Sequence, residues 1–269
     1  MSGLLFIAIL PVILLLIYIY KKDPHKEPFS NLIKIFIFGI FSTIPAVIGE
    51  LIAAFFLEQE SSDYLMLFIY IFIGVALIEE FVKWIIIKIF VYKTDRFDEY
   101  YDAIVYCTFA SLGFACLENI LYVMQNGFGN GILRALTAVP GHTCFGVIMG
   151  YYLCYTKFHE IRQNKEYNKY NFKSLLAPVL VHTLYDYLLF ANMIISWLIF
   201  YIYLLIYCIK LVKKVSYQNQ PFYLTNTYQE NINNYQTINN NNSIQTIFCP
   251  NCGVQVSKEN FCQNCGYKL

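Results

Sequence analysis

Charge is what this sequence has least of. Asp, Glu, Lys and Arg make up 14% of its 269 residues, against 58% hydrophobic and 18% aromatic residues, and its mean hydropathy is +0.48. Soluble domains are rarely so apolar, and the few charges are clustered rather than spread. The net charge is +1 with no basic run, so no nucleic-acid partner is expected. The first apolar stretch has no basic region before it and no small-residue cleavage pattern after it, which reads as a span rather than a cleaved signal. Neither His-Glu-x-x-His nor Gly-x-Ser-x-Gly occurs, which removes the templates of soluble metalloproteases and serine hydrolases. An inverted internal repeat, the usual mark of a transporter, is also missing.

What is present reads as an all-α fold, a polytopic helical membrane bundle of about seven transmembrane helices with a small C-terminal four-cysteine zinc ribbon. Spans are expected from Gly3 to Tyr20 and over 32–57, 64–92, 101–124, 131–155, 175–190 and 193–212. The third is long enough to tilt or break, with Gly74 as the point of weakness. The loops test this reading independently of hydropathy. Lys and Arg number three in 21–31, two in 93–100, five in 156–174 and three in 210–214, and none in 58–63, 125–130 or 191–192. Basic and neutral loops therefore alternate, which predicts a multi-pass protein of the cell membrane with its N-terminus outside and its C-terminus cytoplasmic. Arg134, near an outside end, is a mild exception.

The chain thus divides into a membrane domain over 1–214, an Asn-rich flexible linker over 215–247 and a cytoplasmic ribbon over 248–269. The linker, with its run Ile238-Asn-Asn-Asn-Asn-Ser243, has nothing with which to bury a core. The tail holds two Cys-x-x-Cys-Gly knuckles, Cys249 with Cys252 and Cys262 with Cys265, nine residues apart. Two knuckles complete a tetrahedral four-thiolate site with no open position, so the expected zinc is structural. The segment resembles the small zinc ribbons at the ends of many bacterial membrane proteins, and a cytoplasmic protein partner is the role this implies. The other five cysteines (Cys107, Cys116, Cys144, Cys154 and Cys208) sit singly in apolar runs and read as polarisable packing.

The stretch Leu77-Ile-Glu-Glu-Phe-Val-Lys-Trp84 sets an electrostatic problem. A charge at the centre of a membrane helix costs about 2.5–3.5 kcal/mol, so Glu79, Glu80 and Lys83 would cost roughly 7–10 kcal/mol unpaired. Spacings of i,i+4 and i,i+3 put all three on one face, and one carboxylate is still left over. Proton, metal or donors from other helices must satisfy it. Other spans carry such groups: Glu118 and Asn119 in the fourth, His142 near the middle of the fifth, and His182 with Asp186 at i,i+4 in the sixth. Two histidines and several carboxylates on consecutive helices are the inventory for binding a divalent metal or activating a water. Structural readings stand beside this one: intramembrane histidines often only bridge helices, Glu50 has no partner by spacing and reads as structural, and Gly146 with Gly150 reads as close helix packing. A cation-coupled transporter, or a scaffold or sensor acting through its ribbon, would use the same residues differently.

In order, Glu79-Glu80-x-x-Lys83, Phe114-x-x-x-Glu118-Asn119, His142-x-x-x-Gly146 and His182-x-x-x-Asp186 resemble the motif series of the PrsW family of intramembrane proteases, distant relatives of the CAAX-processing proteases. The likeness covers roughly residues 30–210 and leaves the ribbon outside. It implies an endopeptidase acting on a membrane-anchored protein, of the kind that sheds an anti-sigma factor. Carried over, Glu79 or Glu80 would activate the attacking water, and His142 and His182 would hold a catalytic zinc or other divalent metal or polarise the scissile carbonyl. Glu118 would be a third ligand or hold the water, Asp186 would orient His182, and Lys83 would balance the two glutamates. In the CAAX proteases the second motif ends in His where this chain has Glu118, which leaves metal-dependent and glutamate-dependent hydrolysis both open. On the expected topology Glu79, Glu80, His142 and His182 lie near mid-depth, with Glu118 and Asp186 towards the outer side.

Overall fold

The computed structural model describes residues 2–57, 63–219 and 221–222, together with the backbone of 247–248 and 255–256. The chain divides into two compact units, Met1–Asn219 and Gln220–Leu269. The first is helical: α1 (Ser2–Lys22), α2 (Phe29–Phe56), α3 (Tyr64–Ile69), a π-helical segment (Tyr70–Ala76), α4 (Leu77–Phe90), α5 (Tyr100–Leu136), α6 (Ala138–Ile161), α7 (Glu166–Phe190) and α8 (Ile194–Tyr217). In the second, β1 (Ile247–Phe248) and β2 (Gln255–Val256) pair antiparallel, Ile247 opposite Val256. The four knuckle cysteines lie outside the described residues.

Among the described residues, five stretches are long and apolar enough to cross a membrane: Gly3–Lys22, Phe29–Phe56, Tyr64–Phe90, Tyr100–Ile161 and Ile194–Tyr217. The fourth, of 62 residues, contains both α5 and α6, whereas α7 is not among the five. Each expected span overlaps one or more of these helices, but several boundaries move. The neutral loop expected over 125–130 is helical except at Gly127, whose φ of 78° breaks α5. The chain then continues as a short helical piece to Leu136, and α6 begins only at Ala138. His142 therefore stands in the early turns of its helix, α6. The helix carrying His182 begins at Glu166, well before the span expected over 175–190. α8 runs to Tyr217, past the expected linker start. The weak point at Gly74 takes the form of a π-helical stretch, with no gap in the helix.

Helices α5 and α6 form the buried centre, and most residues from Tyr101 to Cys116 are shielded. Without a hydrophobic driving force between helices in lipid, close approach depends on small residues. Gly39 of α2 packs on the Ala110 carbonyl of α5, and Gly113 of α5 on the Phe36 carbonyl of α2. A side chain at Gly146 would meet Thr108 Cα at 2.9 Å, and one at Gly150 would meet the Ala103 carbonyl oxygen at 2.5 Å. Gly146 and Gly150 thus do seat α6 against α5. The five cysteines of the helices are buried free thiols, as packing residues should be.

The end where α1 finishes and α2 begins is tied by polar contacts. His25 Nδ1 lies 2.9 Å from Glu99 Oε2, Asn219 Nδ2 donates to the same oxygen at 2.5 Å, and Ser216 Oγ donates to the Lys22 carbonyl at 2.6 Å. The termini of α1, α5 and α8 are fixed together there. Asp102 caps α5 by accepting from the Glu99 backbone N–H at 2.7 Å.

Replacing Gly39 by Ala forces a methyl onto the Ala110 carbonyl, an overpacking that costs about 1–3 kcal/mol. Thermal unfolding in detergent should show Gly39→Ala melting lower than the parent. Gly129→Ala, where nothing lies within 4 Å of the added carbon, should melt as the parent does.

Candidate active site

The π-helical segment sits directly before the charged turn of α4. Gly74 lets it lie against α2, since a side chain there would come 3.1 Å from Ala53 Cβ. A π-turn adds a residue to the helical repeat and so changes the direction in which later residues point. The residues it aims are Glu79, Glu80 and Lys83 of α4, all buried, with Glu80 and Lys83 fully so.

Lys83 Nζ is the hub. It donates to Glu80 Oε1 at 2.8 Å and Glu79 Oε2 at 3.0 Å, lies 3.3 Å from His142 Nδ1, and rests 4.0 Å above the ring of Phe114. The i,i+4 spacing of Phe114 and Glu118 puts both on one face of α5, so the ring meets Lys83 while the carboxylate meets His142. His142 Nε2 lies 2.8 Å from Glu118 Oε2, and the His142 carbonyl accepts from Ser111 Oγ at 2.6 Å. With a charged Lys83 donating to Nδ1, the imidazole carries its proton on Nε2 and gives it to Glu118.

His182 lies between two carboxylates, with Nδ1 3.1 Å from Glu80 Oε1 and Nε2 3.2 Å from Asp186 Oδ2. A neutral imidazole has one N–H, so it can donate to only one of them; an imidazolium donates to both, and with Nε2–H given to Asp186 the lone pair of Nδ1 is left for a metal that Glu80 would share. Phe145 stacks on His182 with ring centres 4.4 Å apart and lies edge-on to His142 at 5.6 Å, while the two imidazoles are 5.6 Å apart. Aromatic faces thus fix both rings.

A cavity of about 550 Å³ opens onto this cluster. Glu79, Glu118, His142, His182 and Asp186 line it; Glu80, Lys83 and Asn119 do not. Its other walls include Leu67 of α3, Gln125 and Asn130 around the break in α5, and Leu189 and Phe190 at the end of α7. Asn119 is wholly buried and faces α1, donating from Nδ2 to the Ala8 carbonyl at 2.9 Å.

Two further charged residues line the cavity. Arg134 reaches Glu118 Oε1 at 3.0 Å, donates from Nε to Asn119 Oδ1 at 3.1 Å and lies 4.0 Å over the ring of Tyr122. The cation that broke the loop-charge pattern is thus the counterion of Glu118. An ionisable residue inside an apolar run is by itself a functional signal, and that signal was available. Glu50 of α2 lines the same cavity with no hydrogen bond or ion pair among the described residues. Spacing along α2 could not reveal it, because its neighbours belong to other helices.

One oxygen asks for a ligand. Glu80 Oε2 is buried without a hydrogen-bond partner. Glu79, Glu80 and His182 each offer a donor atom, all within 4.8 Å of one another. Two carboxylates and an imidazole are a donor set that divalent transition metals accept. His142 and Glu118 lie outside that trio and are engaged with each other.

Comparison with known proteins settles the family. The pattern of the PrsW family intramembrane metalloprotease matches residues 27–212. The chain belongs to the PrsW family. It is 39% identical over 195 residues to Protease PrsW of Geobacillus kaustophilus, covering 71% of this chain and 82% of the relative. Identity to Protease PrsW of Bacillus subtilis is 36% over 217 residues, 80% of this chain and 96% of the relative, and to that of Clostridioides difficile 33% over 223 residues, 80% and 92%. No solved structure matches. Membership makes this an intramembrane protease, a multi-pass protein acting in the bilayer.

Breaking a buried ion pair from one side leaves an uncompensated charge and costs about 3–5 kcal/mol. Lys83→Met should therefore strongly reduce the folded protein recovered in detergent. Adding Glu79→Gln and Glu80→Gln to it should restore much of the loss, which size-exclusion profiles and melting curves will read.

Proposed function

We propose that the protein is an endopeptidase whose water is activated by Glu79, in a cavity where the imidazoles of His142 and His182, each held by a carboxylate, lie beside the scissile carbonyl. The supporting observation is the convergence of Glu79, Glu118, His142, His182 and Asp186 on one cavity in the helical bundle. Of the two candidate bases, Glu79 faces that cavity, whereas Glu80 is sealed behind it. A general base must come within hydrogen-bond reach of the water it activates, and the cavity lets a water reach Glu79. Glu79 takes a proton from the water as the oxygen attacks the carbonyl carbon, and returns it to the departing amine. Asp186 orients His182 through Nε2, Glu118 orients His142, and Arg134, itself held by Asn119, pairs with Glu118. Lys83 keeps Glu79 and Glu80 together and takes no part in the proton transfer.

Where the enzyme is metal-dependent, Glu79, Glu80 and His182 would hold the ion, Glu79 then serving as a ligand in place of its role as base, and the orphan Glu80 Oε2 is the observation that fits it. Such a zinc or other divalent ion would polarise the carbonyl and acidify the water. The ligand set read from the sequence, His142 with His182 and Glu118, is supported less well by the geometry, because His142 and Glu118 satisfy each other.

The substrate class is a membrane-anchored protein. The chain crosses the bilayer seven times with its N-terminus outside, a reading that rests on the alternation of basic and neutral loops. The C-terminal unit is a cytoplasmic zinc ribbon held by Cys249, Cys252, Cys262 and Cys265, tethered by the Asn-rich linker and serving to recruit a protein partner. The paired strands β1 and β2 flank the first knuckle, as a ribbon hairpin would.

New protein N-termini in membranes of cells expressing the parent, but not Glu79→Gln or His182→Ala, would identify the substrate. Both variants should lose cleavage by at least 10²-fold while still accumulating, and normal cleavage by Glu79→Gln would refute the assignment of the base. Elemental analysis of purified protein separates the metals. Cys249→Ser/Cys252→Ser should remove one zinc per chain, and any metal that then remains should disappear with His182→Ala.

A further inference from the structure

We infer that a small amphipathic cavity between α2 and the end of α4 is a binding site for an anionic phospholipid. The cavity, about 240 Å³, shares no lining residue with the one at the catalytic cluster. Asn31, Lys34, Ile35 and Phe38 form one stripe of α2, at positions i, i+3, i+4 and i+7. The stripe is polar in its first turn and apolar in the next, so the change from headgroup to acyl-chain chemistry runs along the helix. Phe90 continues the apolar half, its ring centre 4.4 Å from that of Phe38. Arg96, from the loop after α4, supplies a second cation to the polar half.

The charge balance selects the ligand. Two cations and no carboxylate line the cavity, and neither Lys34 nor Arg96 has an acid within ion-pair distance among the described residues. Glu27, whose field includes Arg96, has an oxygen taken by the Tyr106 hydroxyl. Both cations are exposed and accessible to an anion, and Arg and Lys together suit a phosphate. The apolar floor distinguishes a phospholipid from a free phosphate, because Ile35, Phe38 and Phe90 offer nothing to an ion and a surface of about the right character to methylenes. A basic pocket between membrane helices at the level of the headgroups is where such lipids bind.

The test uses the full chain in a neutral detergent, titrated separately with a short-chain phosphatidylglycerol, the corresponding phosphatidylcholine, and inorganic phosphate. Melting temperature reports binding, and native mass spectrometry counts retained lipids. Phosphatidylglycerol should raise the melting temperature and remain bound, and Lys34→Ala/Arg96→Ala should weaken it about tenfold or more. Lys93→Ala, a nearby exposed lysine outside the cavity, should leave it unchanged. Phe38→Ala should weaken the lipid while keeping both cations. Equal response to phosphatidylcholine, an equal response to inorganic phosphate, or an equal loss in Lys93→Ala would each overturn the site. Because lipid-free melting of each variant is measured alongside, a folding defect is read separately from lost binding.

Discussion

The structure depends on one ammonium group. Lys83 Nζ sits between Glu79 and Glu80 in an apolar interior, where each charge alone would be costly and the surplus negative charge must be shared further. That sharing organises the bundle. From Lys83 the contacts run through Glu80 to His182 and Asp186 on α7, and through His142 on α6 to Glu118 and Arg134 on α5. Asn119 carries the chain on to a backbone carbonyl of α1. Polar groups from five helices thus form one connected network. Lipid offers its members no alternative partners, so the network fixes the helix arrangement as well as the chemistry.

Such a network needs helices close enough for short side chains to meet, and glycine makes that possible at α2–α5 and α5–α6. The pairs Gly39 with Gly113 and Gly146 with Gly150 bring backbones to within contact of one another's carbonyls. Phe114, His142 and Glu118 are brought to Lys83 as a consequence. The π-helical stretch at Tyr70–Ala76 belongs to the same set of devices, because it sets the facing of the α4 turn that carries all three central charges.

Much of this could be read from the sequence because membranes punish stray charge. Glu79, Glu80, Lys83, Glu118, His142, His182 and Asp186 stood out as intramembrane polar residues, and the structure brings all seven within one network. Spacing also revealed local pairs, Glu79 and Glu80 with Lys83 and His182 with Asp186, since each is formed within one helix. Contacts between helices were less legible. Arg134 looked like an irregularity in the loop charges because its partner Glu118 precedes it by sixteen residues, across the break at Gly127. Glu50 looked structural because nothing on α2 explains it, and its exposure to the cavity comes from α4, α5 and α7. Asn119 was grouped with Glu118 by adjacency, yet successive helical residues point about 100° apart, and it faces α1 instead. The break at Gly127 falls inside the loop expected over 125–130, but the short helical piece from there to Leu136 is apolar enough to read as the start of the next span.

The difference between the two adjacent glutamates has its origin in the same geometry. Glu80 is held by Lys83 and His182 on one oxygen, sealed from the cavity, and so suits a fixed role as counterion or ligand. Glu79 shares the same ammonium but turns its carboxylate to the cavity, where a water can reach it. Lys83 supplies the compensating cation to both carboxylates, so neither is buried as a lone charge. The doubled glutamate therefore serves a purpose that one glutamate could not: Glu80 anchors the cation, and Glu79 shares it while facing the cavity.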